Sequence, residues 1–248
     1  QVFGYYDHNM LVMSERVSDH LPKTDKYTPK QRLWYIRAEE VVISSGSIER
    51  PLVFGNNDAP GVMLSSAAKE YLKIYGVLVG KKPIIFTNND SGYETAIEFK
   101  KNGVDPIILD TRKEPKSEII DEAKKLDIQI KFSYVVVAAK GYKKVKSAEV
   151  AKISDDKNEL GTLETINCDC ICVSGFWTPT IHLASQSGNK TTFNKDIDAF
   201  VPGLSKQNET TLGAANGTFT LEETLKNSFD SGYELSKKIT SNDNKTSS

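Results

Sequence analysis

The chain has 248 residues, with 32 Lys and Arg against 33 Asp and Glu and a formal net charge of −1. That near balance excludes a polycationic nucleic-acid binder and an acidic solvating chain, and the length allows one large core or two modest ones. Three Cys are too few for a disulfide framework and fit a reducing compartment. No apolar run approaches the roughly 20 residues that would cross a bilayer, and the start does not read as a secretory leader, so a cytoplasmic protein is expected. The first residue is Gln and the chain opens directly on a strand-like run, which leads us to expect a piece of a longer chain. Four Asn-x-Ser/Thr sequons, at Asn189, Asn208, Asn216 and Asn244, are read as chance in a sequence rich in these residues.

Three regions follow one another. In the first, Val2–Tyr6, Met10–Arg16 and 33–37 alternate apolar and polar residues and predict strands, with Pro22 and Pro29 in a charged connection. The apolar run at 40–44 predicts a strand covered on both faces, ending at Ser44-Ser45-Gly46. Ser65–Tyr75 predicts a helix with Ala68, Leu72 and Tyr75 on its inner face and Gly76 as its stop. In the second region, strands at 83–86 and 106–109 alternate with helices at 93–102 and 117–126. Strands at 128–130 and 134–139 come next. That alternation is the mark of a parallel sheet with right-handed crossovers. Short strands in a meander are expected from 140 to 164. In the third region, 168–174 predicts an apolar strand, 176–179 a turn, 211–217 a small-residue loop and 218–229 a helix with Leu221, Leu225 and Phe229 at spacing four. The closing string SNDNKTSS predicts a structureless tail or linker.

Four constellations invite chemistry. Ile43 to Pro51 is a strand end of small residues, where Gly46 permits close approach of another backbone or a nucleotide, and Glu49 and Arg50 offer charges for a phosphate or for each other. Thr87-Asn-Asn-Asp-Ser-Gly92 occupies the place of a first dinucleotide-binding turn, with Asp110 at the end of the next strand, where an acid would bind a ribose hydroxyl. Only Gly92 remains of the glycine fingerprint, and Asp90 would repel a phosphate at the helix start. Retention of the fold without its ligand is therefore weighed equally. Thr211-Leu-Gly-Ala-Ala-Asn-Gly217 before a helix again allows close approach and offers a helix amino terminus to an anion, or is simply tight loop packing. Cys168, Cys170 and Cys172 alternate on a strand and should share one face. With no second ligand pair they read as buried core residues, not as a zinc site.

Several strings together resemble the alpha subunits of heterotetrameric sarcosine oxidases. They are Phe3-Gly-Tyr-Tyr-Asp-His-Asn9, Ile48-Glu-Arg-Pro-Leu-Val-Phe54, Pro60-Gly-Val-Met63, Phe86-Thr-Asn-Asn-Asp90, Val173-Ser-Gly175 with Trp177, and Gly213-Ala-Ala-Asn-Gly217. The resemblance covers nearly the whole chain. It implies an α/β, two-dinucleotide-binding-domain flavoprotein-like fold (Rossmann-like, FAD/NAD(P)-binding). Residues 1–80 and 165–239 would belong to the first domain, 81–164 to an inserted nucleotide-like domain and 240–248 to the tail. It also implies NAD bound by this subunit, with Gly46, Glu49 and Arg50 approaching the dinucleotide and Gly213, Asn216 and Gly217 on its other side. FAD in a beta subunit, FMN near the alpha–beta interface, gamma and delta subunits, and a tetrahydrofolate-binding half further along alpha complete the implied enzyme. Sarcosine would become glycine, a one-carbon unit and hydrogen peroxide. Two departures stand out: Ser44-Ser45-Gly46 where the family shows Ala-Thr-Gly, and Phe176 where it shows glycine, which questions the local backbone. The same fold would serve a dye-linked proline, opine or cyanide-forming amino-acid dehydrogenase, or a degenerate subunit that only binds partners. The 248-residue chain alone is expected to be inactive.

Overall fold

The computed structural model describes residues 1–154, 156 and 159–246. Two compact units result, one made of Gln1–Ile48 with Thr178–Ser248 and the other of Glu49–Trp177.

The first unit opens with β1 (Val2–Tyr6), β2 (Met10–Arg16) and β3 (Gln31–Arg37), an antiparallel sheet in that order. His8 and Asn9 turn the first hairpin with φ of 61° and 51°, and the second is held from several sides. The Tyr5 hydroxyl donates to Asn9 Oδ1 at 2.7 Å, and Asn9 Nδ2 donates to the carbonyls of Glu39 and Asn208 at 3.1 and 3.0 Å. Asn tolerates the left-handed region better than most residues, and its buried amide is satisfied here. Next comes β4 (Val41–Ile43), whose Val41 and Ile43 are buried while Val42 is half exposed. Among the described residues the expected cover on both faces is thus absent from this strand. The chain then leaves through β5 (Ser47–Glu49).

The second unit is built on a parallel sheet. Its elements are β6 (Val62–Leu64), α1 (Ser65–Tyr75), β7 (Pro83–Thr87), α2 (Ser91–Lys101), β8 (Ile107–Asp110), α3 (Glu118–Lys125) and β9 (Gln129–Phe132). A meander of β10 (Tyr134–Lys140), β11 (Ser147–Lys152) and β12 (Glu164–Asn167) follows, and then β13 (Cys170–Ser174). The sheet order is β6-β13-β7-β8-β9, every pairing parallel. β7 and β13 are buried along their whole length, as expected of strands covered on both faces. One face packs Ile85, Ile108, Cys170 and Cys172 against Phe99, Ala96 and Ile120 of the helices. The other packs Ile84, Phe86 and Ile171 against Val136, Ala148 and Val150 of the meander. Because β6 and β13 flank β7, this unit spans 49–177 where the sequence reading drew 81–164.

Two expectations change within this unit. Tyr75 is exposed instead of facing inward, because α1 ends there at the left-handed Gly76 and the Tyr75 ring lies 6.0 Å from that of Tyr71. Cys168 does not share a face with the other two Cys. The alternation breaks at Asp169, whose carboxylate accepts the backbone N–H groups of Lys81 and Lys82 at 2.8 Å. Cys168 packs on the meander side, and Cys170 and Cys172 on the helix side with sulfurs 3.6 Å apart. Burial pushes the Cys168 thiol up to about 12. The Cys170 thiol and burial together hold Cys172 well above the ordinary thiol range. These are core side chains, not nucleophiles.

The chain returns through β14 (Trp177–Pro179), so the turn expected at 176–179 is a left-handed Phe176 followed by a strand. In the first unit again lie α4 (His182–Gln186), the hairpin β15 (Thr191–Asn194) and β16 (Ala199–Pro202), and β17 (Glu209–Thr211), which pairs parallel with β4. A 3-10 turn, Gly213–Asn216, leads to α5 (Leu221–Thr246). The expected tail from 240 therefore carries helix to Thr246, and its last two positions, 247 and 248, lie outside the described residues. Along α5, Leu221, Leu225 and Phe229 are 73%, 62% and 75% exposed, so the stripe that predicts this helix has no cover among the described residues. No helix among the described residues is long and apolar enough to cross a membrane.

Candidate functional site

In open α/β sheets ligands bind outside the carboxyl ends of the strands. Each unit presents such an edge, and the two edges differ.

In the first unit, Thr211 pairs with Ile43, so the loops after β4 and β17 emerge side by side. This places Gly46, Gly213, Asn216 and Gly217, four of the seven candidate residues, at one edge. Leu212 N donates to Ile43 O at 2.9 Å, Thr180 N donates to Gly46 O at 2.9 Å, and Ser45 Oγ donates to Thr180 O at 2.6 Å. All three glycines have positive φ, of 74°, 64° and 81°. Their surroundings separate them. A Cβ on Gly217 would sit 3.0 Å from Ile197 Cδ1, so this glycine answers to packing. A Cβ on Gly46 would meet nothing within 4 Å, which leaves room there for a ligand. Asn216, next to Gly217 at the end of the 3-10 turn, is exposed. The helix amino terminus expected to receive an anion is already capped. Thr220 Oγ1 accepts from Glu223 N at 3.4 Å and donates to the Glu223 carboxylate at 2.8 Å, and Glu222 adds a second negative charge. The Thr220 hydroxyl thus caps the helix start, and the two acidic residues of the first turn repel anions. The loops, not α5, form the open part of this edge.

In the second unit the corresponding edge is filled by protein. Asp110 is fully buried. Its Oδ1 accepts from Arg112 N and Nε at 2.9 and 3.0 Å, and its Oδ2 accepts from Tyr93 Oη and Arg112 Nη2 at 2.7 and 2.8 Å. Four donors occupy the four acceptor positions of the carboxylate, leaving none for a ribose hydroxyl. Burial, then the bond to Asp110, raises the Tyr93 hydroxyl far above the phenol range. Burial opposes the Arg112 charge, but Asp110 and Asp90 outweigh it and hold the guanidinium protonated. Arg112 Nη1 reaches Asp90 Oδ1 at 2.8 Å, so the acid at the start of α2 is paired.

The turn itself is closed by its own side chains. Asn89 Nδ2 donates to Ser174 O and Oγ at 3.0 and 3.2 Å, and Asn89 Oδ1 accepts from Ser91 N at 2.9 Å and from Ser91 Oγ. Trp177 Nε1 donates to Ser91 Oγ at 3.2 Å. Gly92 survives because a Cβ there would lie 2.7 Å from Thr87 Cβ and Oγ1, where helix meets strand. The residues of this edge do not fit a dinucleotide, and the expected ribose role of Asp110 fails on its own hydrogen bonds.

Glu49 also departs from its expected role. It is buried, and its Oε2 accepts from Ser66 N and Oγ at 2.8 and 2.6 Å, capping the amino end of α1. The Arg50 backbone is fixed on both sides, its N donating to Phe176 O at 2.8 Å and its O accepting from Gly175 N at 2.7 Å. Phe176 adopts φ of 78° at the position read as glycine in the family, so the left-handed geometry persists without the glycine. Sequence reasoning missed Tyr93, Arg112 and Ser174. The pairing of Asp110 with Arg112, two residues on at a strand end, is the signal that was present. Among the described residues no group of three or more His, Cys, Asp or Glu is placed to hold a metal.

The fold is that of the FAD/NAD(P)-binding flavoprotein oxidoreductases. The chain is similar to T. acidophilum thioredoxin reductase, with a TM-score of 0.61 at 16% identity over 78% of this chain and 64% of that one. It is also similar to L-proline dehydrogenase from P. horikoshii, with a TM-score of 0.54 at 18% identity over 87% of this chain and 35% of that one. Within that class the sequence is homologous to the sarcosine oxidase alpha subunit. It is 38% identical over 224 residues to that of Rhizobium meliloti (strain 1021), covering 87% of this chain and 21% of the relative. It is 34% identical over 227 residues to that of Corynebacterium sp. (strain P-1), covering 90% of this chain and 23% of the relative. The chain thus spans about a fifth of the length of the curated relatives it matches. No protein-family model matches it.

Proposed function

We propose that this chain is part of the alpha subunit of a cytoplasmic, flavin-dependent sarcosine oxidase, and that it supplies the NAD-binding scaffold of that subunit. The observation that carries the reading is the 38% identity that runs through 87% of the chain. The edge of the first unit adds physical support. Gly46 leaves open space, and Gly213 and Asn216 lie on the adjoining loop, so these residues would hold the dinucleotide. Gly217, Glu49 and Asp110 support packing, a helix cap and a buried ion pair instead.

In this reading sarcosine is oxidised on FAD in a beta subunit, electrons pass to FMN near the alpha–beta interface, and gamma and delta subunits complete the assembly. A folate-binding half of alpha takes the one-carbon unit, and oxygen becomes hydrogen peroxide. The bare stripe of α5 and the two-stranded β4–β17 pair are faces on which the rest of such a subunit would pack. The second unit acts as a nucleotide-free insert. The likeness to L-proline dehydrogenase concerns fold alone and does not move the substrate away from sarcosine.

The test is co-expression of the full-length subunit with the products of its neighbouring genes. The expected result is a complex with flavin absorbance near 450 nm (roughly, for oxidised flavin) that forms peroxide from sarcosine, the flavin chemistry belonging to the cofactor. A flavin-bearing complex that oxidises proline and not sarcosine would replace this substrate. A complex without flavin would overturn the enzyme reading.

A further inference from the structure

We infer that the Asn216–Gly217 step is a self-modification site: without NAD, Asn216 converts to aspartate or isoaspartate and the edge loses affinity for the dinucleotide, whereas bound NAD prevents the conversion. This rests on the reading of the first unit's open edge as the NAD site, and it adds a form of regulation to that edge.

Asn-Gly occurs twice in the chain, at Asn102–Gly103 and at Asn216–Gly217. Glycine has no Cβ to keep its amide nitrogen away from the preceding side chain. That nitrogen attacks the asparagine Cγ, the new N–C bond replaces the Cγ–Nδ2 bond, and ammonia leaves with the amide proton. Water then opens the resulting succinimide at one carbonyl to give aspartate, or at the other to give isoaspartate. No oxidant or reductant takes part.

The structure separates the two steps. Both asparagines are exposed. Asn102 closes α2, a helix of 11 residues; its N–H donates to Phe99 O at 3.0 Å, and its Nδ2 donates to Glu98 O at 2.9 Å. The amide that must be attacked is thereby tied back to the helix. Asn216 ends a 3-10 turn of four residues, closed by Gly217 N to Ala214 O and by Thr218 N to Gly213 O, each at 3.1 Å. Its side-chain amide makes no hydrogen bond among the described residues. A single 3-10 turn has poorer hydrogen-bond geometry than an α-helix and opens at lower cost. Nor can the glycine be given up. With φ of 81° and Ile197 Cδ1 3.0 Å from an added Cβ, position 217 admits no other residue without strain.

Conversion has a consequence for the edge. It places a carboxylate next to a helix start where Glu222 and Glu223 already repel anions, and against the phosphates of a dinucleotide. Isoaspartate also adds a carbon to the backbone and re-aims the loop. NAD held by Gly46, Gly213 and Asn216 would cover this amide and favour the closed turn by mass action.

The experiment ages the assembled complex, carrying the full-length subunit, in mildly alkaline buffer with and without NAD. Peptide mass spectrometry that resolves aspartate from isoaspartate follows both asparagines. Without NAD, Asn216 converts about tenfold or more faster than Asn102, the factor that a small difference in local opening brings. Saturating NAD slows the conversion by about tenfold or more. NAD affinity falls in step with conversion, and fresh Asn216→Asp binds NAD about tenfold more weakly than the unaltered enzyme. Asn216→Gln, whose longer side chain closes such a ring poorly, keeps through ageing whatever affinity it has when fresh. Equal conversion at the two asparagines, or conversion at Asn216 that leaves NAD affinity unchanged, overturns the inference alone. Conversion that bound NAD does not slow, or a fresh complex that binds no NAD, overturns the site reading and the inference with it.

Discussion

Asp110→Ala lowers the stability of the second unit by about 3 kcal/mol, near the lower end of the range for breaking a buried ion pair. Asp110 is fully buried, and its removal leaves the Arg112 guanidinium and the Tyr93 hydroxyl without their shared acceptor. Water relieves part of the loss, because the Arg112 side chain is 28% exposed and retains Asp90 at 2.8 Å. Denaturant unfolding of the full-length subunit, followed by hydrogen exchange of the β7 and β13 amides, reads the change. Were Asp110 instead a ribose ligand, the variant would keep its stability and lose nucleotide affinity.

Gly92→Ala costs about 2 kcal/mol, the size of an overpacking strain in a well-packed interior. The added methyl would lie 2.7 Å from Thr87 Cβ, a β-branched side chain at the end of β7 that cannot swing away. The cost of Gly92→Ala should shrink when measured in a Thr87→Gly background, which removes Cβ and Oγ1, the two atoms 2.7 Å from the added methyl. Absence of that reduction in the same unfolding measurement would show that Gly92 is kept for something other than the fit of helix to strand.

The parallel sheet was legible because β7 and β13 are unbroken apolar runs, and because α2 places Ala96, Ile97 and Phe99 at helical spacing. The span of the second unit was not. Val62–Leu64 is three residues long and only partly buried, so nothing local marks it as the outer strand of that sheet. Among the site residues, the two loops after β4 and β17 announced themselves by glycine in a small-residue setting, and the structure does bring them to one edge. Glu49 and Asp110 looked alike in sequence, as acids at strand ends. Only tertiary partners, Ser66 for one and Tyr93 with Arg112 for the other, show that both are engaged within the protein. Periodicity also placed Leu221, Leu225 and Phe229 on one face of α5 correctly, yet it could not say that the face would be bare.

The central claim is that NAD binds at the open edge of the first unit and not at the filled edge of the second. The direct measurement is calorimetric titration of NAD into the assembled enzyme carrying either Gly46→Asn or Asp90→Ala. Asn tolerates the left-handed backbone at position 46 and its side chain enters open space there, while Asp90 stands where a phosphate of a dinucleotide in the second unit would lie. The account predicts that Gly46→Asn weakens NAD binding by about tenfold or more, through loss of close approach, and that Asp90→Ala changes it less than about twofold. Normal affinity in Gly46→Asn, together with a large change in Asp90→Ala, would contradict it and return the dinucleotide to the second unit.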